Sequence, residues 1–319
     1  MERVITMMHS FNGDSWTWQK QREDRLDAFQ VVMQERPSFE RWLEELEDDY
    51  SNSLVIDTRA EGKEHLFGSL VYQQDIDSRE DKKAFHFYVE KDCFITAGIE
   101  LEDLRSNYSD AVFEQMDRAD NAIEGFFILL GEIVAYYLSK IDIFEERLTD
   151  LIWKIKEQNN VQILEKIAES RHEILIWKNL MIPIIELKIA AEEAFGESIA
   201  EKKEFKRVCK RIERGRTLIR EYQQEIDTMI NLEEVVSSHR GNEIMKTLTV
   251  MTILFTPVAA LGALWGMNFE VMPELKWRYG YPASIVLIIL STVALYIYLW
   301  RKGWTGDVLK TKKKNTFFQ

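Results

Sequence analysis

The 319-residue sequence is poor in cysteine, proline and glycine, and it is short of positive charge. It contains 2 Cys, 5 Pro and 14 Gly, and its 41 Lys and Arg are outnumbered by 54 Asp and Glu. The two cysteines, Cys93 and Cys209, lie far apart and lack C-x-x-C spacing, which argues against a disulfide framework and a zinc cluster. The acidic excess argues against a nucleic-acid partner, because binding phosphates requires clustered cations.

Charged side chains are missing from two long segments near the C-terminus. Between Lys246 and Glu270 stand 23 uncharged residues, and between Arg278 and Arg301 stand 22. At 1.5 Å of rise per residue, either segment can cross the ~30 Å hydrocarbon core of a bilayer as a helix. The sequence therefore predicts a multi-pass membrane protein. Its predicted segments are a first transmembrane helix over 247–268, an external loop over 269–280 and a second transmembrane helix over 281–300.

The charges that flank these segments predict the orientation of the chain. Residues 1–245 hold 32 basic and 51 acidic side chains, whereas the tail at 301–319 holds six basic and one acidic. Lys and Arg that flank membrane spans are enriched on the cytoplasmic side. We therefore expect a protein of the cell membrane (inner or plasma membrane) with both termini in the cytoplasm. The N-terminus has no apolar core of a signal peptide. The external loop then presents Glu270 and Glu274 outside.

Residues 1–120 have the pattern of a cytoplasmic α/β domain. Short alternating or β-branched runs, separated by charge clusters, predict a small sheet beside a few helices. The predicted strands cover 53–57, 65–73, 84–89 and 94–97, and the predicted helices cover 41–49 and 101–116. The domain has no Gly-rich phosphate loop, no H-E-x-x-H and no G-x-S-x-G. We therefore expect a protein that is not an enzyme and that uses no organic cofactor.

From about residue 120 the apolar residues recur at steps of three and four, with a break at 159–160. This period predicts a helical hairpin over 121–200. The predicted apolar stripes are Ile133, Tyr137, Ile141, Phe144, Leu148, Leu151 and Ile155 on the first helix, and Val161, Leu164, Ile167, Ile174 and Leu175 on the second. The remaining faces are rich in acid. The pattern leaves open whether they are solvated surface or bind cations.

A stalk helix is predicted over 201–246 and continues into the first span. Apolar residues alternate steps of three and four there, which is a heptad seam. The seam consists of Phe205, Val208, Ile212, Gly215, Ile219, Tyr222, Ile226 and Met229. No proline occurs between Pro183 and Pro257, so one helix of about 95 Å is predicted from 201 to 265. Because a seam requires partners and two spans cannot enclose an aqueous path, we predict self-association.

The first span ends in Leu-Trp-Gly-Met-Asn-Phe, with Gly266, Met267 and Asn268 at its outer end. In this position the tripeptide resembles the signature of the CorA family of magnesium transporters, which closes the first of two C-terminal spans. The Met-Pro-Glu-Leu loop, the second span and the basic tail strengthen the resemblance. It implies an α/β N-terminal cytoplasmic domain, a long helical hairpin and a stalk helix continuing into two transmembrane helices, assembled as a homopentamer that conducts divalent cations.

Each motif residue has a physical interpretation as an ion entrance. Mg²⁺ releases its water reluctantly, so the first contact should be with a hydrated ion. Asn268 offers a carbonyl oxygen to that water without the deep electrostatic well of a carboxylate ring. Gly266 lets the backbone turn at the helix end, and Met267 packs against a neighbouring chain. The competing interpretation is a plain Gly-Asn helix terminus.

Helical steps of three or four extend a stripe from Asn268 toward the cytoplasm. In the family, matching positions line the central pore, with the apolar ones as a hydrophobic gate. The resemblance implies pore-lining roles for Asn242, Met245, Leu248, Thr252, Thr256, Ala259 and Ala263. The small residues would equally serve helix packing in a membrane bundle.

The ion and its regulation are less determined by the sequence. The resemblance implies magnesium as the transported ion, with cobalt or nickel as further transported ions. Trp265 stands where the family usually has Tyr, and Thr-Pro-Val-Ala replaces Met-Pro-Leu-Thr. These differences leave zinc transport as an alternative. A non-conducting two-span scaffold or receptor is the other alternative. We expect magnesium to be a regulatory ligand as well. Asp227, Glu233 and Glu234 lie on the stalk, although no stalk residue clearly matches the family's regulatory acidic pair.

Overall fold

The computed structural model describes residues 7–21, 42, 51–100, 109–157, 161–268, 270 and 272–304, with the backbone alone at 7, 109, 110, 156, 157, 161, 274 and 275. The chain divides into two compact units. The first comprises Met1–Ile155 with Asn159–Asp227, and the second comprises Lys156–Gln158 with Thr228–Gln319.

The first unit contains a six-stranded sheet with the order β1-β2-β6-β5-β4-β3. The strands are β1 Met7–Phe11, β2 Trp16–Gln21, β3 Ser53–Asp57, β4 His65–Gln74, β5 Lys82–Val89 and β6 Cys93–Ala97. Neighbours are antiparallel except for β2 and β6, which are parallel. The four predicted strands are confirmed. The β1–β2 hairpin was missed, although its turn, Asn12-Gly13-Asp14 with positive φ at all three residues, has the Asn-Gly sequence typical of hairpins.

Aromatic side chains form the core between the sheet and the first long helix. The ring of Phe126 lies 5.3 Å from that of Phe87 on β5 and 5.8 Å from that of Phe94 on β6. The indole of Trp16 donates to the Ala119 carbonyl at 3.0 Å. A Cβ on Gly125 would lie 2.3 Å from this indole, so glycine allows the helix to approach the strand.

The helices follow the sheet in the chain. They are α1 Ser109–Met116, α2 Ala122–Glu157, α3 Val161–Phe195, α4 Glu197–Ala200, α5 Lys203–Trp265 and α6 Gly280–Arg301, with a 3₁₀ turn at Pro273–Lys276 before α6. The single long helix predicted over 201–265 is confirmed by α5. Of the predicted helix at 41–49 only Trp42 lies among the described residues, and the 159–160 break lies outside them.

The apolar stripe predicted for α2 is buried from Ile133 to Leu151. The stripe predicted for α3 is wrong at Leu164 and Leu175, which are exposed, while Ile163, Ile167 and Ile174 are buried. Adjacent positions on α3 are both apolar, so periodicity alone does not select the residue of each pair that faces the core.

The heptad seam of α5 does not form a surface for other copies. Its residues from Phe205 to Met229 are largely buried inside the chain. The rings of Phe205 and Phe127 lie 4.5 Å apart, and a Cβ on Gly215 would lie 2.7 Å from the terminal carbon of Met181. The α2–α3 hairpin of the same chain therefore supplies the partners of the seam, and the prediction that the seam requires other copies is wrong.

Three helical segments of the described chain are long and apolar enough to cross a membrane, whereas two were predicted. In the additional segment, Ala122–Ile155, 78% of the most apolar stretch is buried, so its apolar surface belongs to the core. In Lys203–Trp265 and Gly280–Arg301, only 11% and 6% of the most apolar stretch is buried. These two helices leave apolar surface that the rest of the chain does not cover.

Candidate functional site

The C-terminal part of α5 has two distinct faces. Val250 and Pro257 are buried, and Ile253, Leu261 and Trp265 are half-buried. Because successive helical residues are rotated by about 100°, these five residues lie on one side of the helix. The exposed side carries all seven predicted pore residues: Asn242, Met245, Leu248, Thr252, Thr256, Ala259 and Ala263. Met251, Phe255 and Val258 are exposed as well, so the structure leaves the predicted stripe uncovered by its own chain but does not single it out.

The two threonines of this stripe present oxygen acceptors. The hydroxyl of Thr252 donates to the Leu248 carbonyl at 2.8 Å, and that of Thr256 donates to the Thr252 carbonyl at 2.7 Å. The hydroxyl protons are therefore used within the helix, and the lone pairs of each oxygen are left for a donor outside it. Such oxygens are suited to a cation or to the water bound to a cation.

The cytoplasmic half of the stripe is apolar. Met245 is 61% exposed and Leu248 is 59% exposed, and they lie one turn apart. At Gly241, a further turn back, nothing in the described chain outside the local helix backbone lies within 4 Å of where a Cβ would be. A mid-helix glycine destabilises a helix by about 1 kcal/mol relative to alanine. Contacts within the single chain do not explain why this position is glycine. The sequence prediction missed it, although an isolated glycine in an exposed helix was the available signal.

The helix ends one residue before the Gly-Met-Asn motif. The Gly266 amide donates to the Gly262 carbonyl at 3.0 Å, and the Met267 amide donates to the Leu264 carbonyl at 3.5 Å. Gly266 is not among the residues with positive φ, so the backbone leaves the helix here without a left-handed glycine. A Cβ there would lie 3.0 Å from the Gly262 oxygen, a tight contact that a small local shift would relieve.

Asn268 follows this helix end with its side chain exposed. Among the described residues its carboxamide has no hydrogen-bond partner, so its carbonyl oxygen is available to an outside donor. Glu270, just beyond, is also exposed. The side chain of Glu274 lies outside the described part of the chain, as do Phe269 and Val271.

The three acidic stalk residues do not form a metal site within one chain. Asp227 is paired with Arg171 at 3.5 Å, Glu233 is half-buried and Glu234 is exposed. Across the residues that the structure describes, no group of three or more His, Cys, Asp or Glu side chains is arranged to hold a metal ion. Arg171 is a partner that sequence reasoning missed, because the pair joins two helices 56 positions apart in the sequence.

The cysteines offer no thiolate ligand. Cys93 is buried on β6, and burial raises the pKa of the Cys209 thiol to about 11. A thiol with this pKa stays protonated at neutral pH, and metals bind the thiolate. The oxygen atoms of the exposed stripe and of Asn268 are therefore the candidate cation ligands.

The chain resembles known proteins over most of its length. The sequence model of the family described as CorA-like Mg²⁺ transporter protein matches residues 19–302. The magnesium transport protein CorA of Bacillus subtilis is 44% identical over 309 residues, which is 96% of this chain and 97% of that protein. The fold is similar to that of the CorA magnesium transporter of Methanocaldococcus jannaschii, with a TM-score of 0.61, 16% identity and 93% of each chain covered. It is also similar to full-length CmaX, with a TM-score of 0.57, 14% identity, and 90% of this chain and 88% of that chain covered.

Proposed function

The chain belongs to the family of CorA-like Mg²⁺ transporter proteins, and from this premise we propose that it transports divalent cations, with Mg²⁺ as the physiological ion. The observation that carries the proposal is the uncovered face of α5. It combines acceptor oxygens at Thr252 and Thr256 with the exposed amide of Asn268, which has no hydrogen-bond partner in the described part of the chain. An array of this kind suits an ion that keeps its water.

The ion enters at a ring of Asn268 amides, where the hydration shell donates to carbonyl oxygens. It then passes Ala263 and Ala259, whose small side chains leave room for a hydrated ion. Thr256 and Thr252 accept further hydrogen bonds from that water. Below them Leu248 and Met245 form an apolar constriction, which closes by excluding water. Asn242 lies at the cytoplasmic exit, and Glu270 and Glu274 raise the cation concentration outside.

Several copies are required to enclose this path. A homopentamer places five uncovered α5 faces around one axis, and lipid covers the outer surface of α6. Both termini are cytoplasmic, as the charge asymmetry indicates. The proposed segments are the α/β domain at 1–120, the hairpin at 121–200, the stalk at 201–246, the spans at 247–268 and 281–300, the loop at 269–280 and the tail at 301–319. A membrane potential of about 100 mV then drives two charges inward with about 4.6 kcal/mol.

Reconstitution tests this function directly. Liposomes that contain the purified full chain and a magnesium indicator should take up Mg²⁺ when an inside-negative potential is imposed, whereas protein-free liposomes should not. Added Co²⁺ or Ni²⁺ should slow the uptake by competition. Uptake of Zn²⁺ with no uptake of Mg²⁺ would favour the zinc transporter, and no divalent flux from correctly inserted protein would favour the non-conducting scaffold.

We further propose that cytoplasmic Mg²⁺ closes the pore. Residues 1–245 carry a net charge of −19, so five copies hold about −95, and these charges repel unless cations neutralise them. Mg²⁺ binds carboxylates through its retained water, and acidic side chains from several copies would share it. The stalk candidates are Asp227, Glu233 and Glu234, and Asp227 also pairs with Arg171 of its own chain. Loss of the bound ions then favours the open state, which gives negative feedback on uptake.

Limited proteolysis of the purified oligomer checks this regulation. Millimolar Mg²⁺ should slow trypsin cleavage of the cytoplasmic part several-fold, because bound ions hold the subunits together. A sodium salt of matched ionic strength is the control. Equal protection by both salts would mean that salt merely screens the repulsion between the acidic domains, and it would contradict a specific magnesium site.

A further inference from the structure

A positively charged face lies at the beginning of α5 in an otherwise acidic domain. Residues 203–220 contain eight basic and two acidic side chains. Four of the cations, Lys203, Lys206, Lys210 and Arg214, are exposed on one side of the helix, which we call the basic face. The basic face is opposite the buried seam, so the core of the chain does not use it.

The four side chains of the basic face have no ion pair or hydrogen bond with the described part of their own chain. Like charges three or four residues apart on a helix repel each other and destabilise it. An acidic partner would therefore stabilise this row of cations on consecutive turns. The net charge of −19 over residues 1–245 makes a second copy of this chain a source of such a partner.

A complementary row lies on the outer side of α3. Glu186 and Glu193 are exposed there, and within the described residues neither has an ion pair. Ile182 and Ile189 stand on the same line and are 49% and 56% exposed. These four residues, which we call the acidic face, combine two carboxylates with two large apolar side chains. Exposed isoleucines in line at a seven-residue spacing are typical of a helix that packs on another surface.

The two faces lie at the same height of the first unit, because α3 and α5 run antiparallel beside each other. Three intrachain contacts give the register: Arg171 to Asp227 at 3.5 Å, Lys178 to Gln223 at 3.2 Å, and Met181 against Gly215. Continued along both helices, this register brings Glu193 level with Lys206. It likewise brings Glu186 level with Lys210 and Arg214.

Two faces can meet in a ring only if they lie at the same position along the ring axis, which we call their height. In a cyclic assembly each contact joins two different patches of neighbouring copies, and the ring closes only if both patches lie at one height along the axis. Two patches at different heights would generate an open helical filament instead. The acidic and basic faces satisfy this condition for a ring whose axis runs along α3 and α5.

We propose that the acidic face of one copy docks on the basic face of the next copy around the ring. Glu193 pairs with Lys206 of the neighbour, and Glu186 pairs with Lys210 and Arg214. Ile182 and Ile189 pack along the aliphatic stems of these cations, whose charged ends remain at the rim. The inference rests on the proposed self-assembly and adds to it the surface that joins the cytoplasmic parts.

Disulfide trapping between two differently tagged chains tests the contact. Full-length Glu193→Cys is co-produced with full-length Lys206→Cys, purified as the oligomer and oxidised mildly. A disulfide requires Cα atoms within about 7 Å, so a heterodimer band should form in most oligomers. The control is Leu175→Cys with Lys206→Cys, which uses the same side of α3 about 27 Å further along, and it should give at least about tenfold less product.

Charge exchange provides a second test that does not depend on oxidation. Glu186→Lys with Glu193→Lys should shift the oligomer toward smaller species in light scattering, and so should Lys206→Glu with Lys210→Glu. The quadruple variant should restore the parental mass. An intact oligomer that conducts Mg²⁺ but gives neither the trapped heterodimer nor the charge rescue would overturn this contact and leave the proposed function standing. A monomeric parent without divalent flux would overturn both.

Discussion

Replacing Asn268 with alanine should abolish Mg²⁺ uptake while the oligomer assembles normally. The exposed amide has no hydrogen-bond partner among the described residues, so its loss disturbs no packing in the chain. A hydrogen bond to a charged group contributes about 1.5–3 kcal/mol, and the loss of two or three such bonds to the hydrated ion lowers its occupancy more than a hundredfold. Uptake by liposomes should therefore fall to the protein-free background.

The controls for this variant separate entrance chemistry from assembly. Asn231→Ala removes an exposed amide elsewhere on α5 and should conduct like the parent. Asn268→Asp places a carboxylate ring at the entrance, which should bind ions more tightly and slow their release. If Asn268→Ala oligomers take up Mg²⁺ at the parental rate, Asn268 is a helix terminus and the entrance lies elsewhere.

Replacing Leu248 with asparagine should make the pore leak when Mg²⁺ is high on both sides of the membrane. An apolar constriction conducts only when water fills it. A leucine side chain contributes about 1.5–3 kcal/mol to the exclusion of water, so the loss of one from each copy favours filling strongly. We expect at least about a tenfold increase in efflux, measured from loaded liposomes under magnesium conditions that keep the parent closed.

The matched control is Leu248→Met, which keeps an apolar side chain of similar volume and should remain as tight as the parent. Met245→Asn, one turn away, should leak as well, because both side chains are exposed on the same face. Should Leu248→Asn leak no more than Leu248→Met, the constriction is not at this turn of α5.

Much of the fold could be predicted because the relevant signals are local. The strands β3 to β6 consist of short runs rich in β-branched and aromatic residues between charged segments. The continuity of α5 was predicted from the absence of proline before Pro257, which lies inside the helix without ending it. The hairpin of β1 and β2 escaped prediction because Trp16, Trp18 and polar residues carry its alternation in place of a recognisable apolar run.

Some features of the candidate site could be predicted from the sequence, and others could not. The stripe on α5 was predicted from its helical spacing and stays a prediction, because most of this part of the helix is exposed in the single chain. The pairing of Asp227 with Arg171 was not predicted, because two sequence-distant helices must first pack before the charges meet. The basic and acidic faces escaped notice for the same reason, since each becomes a surface only after the opposite side of its helix is buried.

The sequence by itself determined the two uncharged segments, the position of Gly266-Met267-Asn268 at the outer end of the first segment and the charge asymmetry around both, because length, composition and order are properties of the chain. Only the tertiary structure decided which apolar stripes remain uncovered. Ala122–Ile155 is as long and apolar as a span yet belongs to the core, and the heptad seam of α5 is buried against α2 and α3. Periodicity indicates that a helix face needs a partner, but the identity of the partner depends on long-range packing.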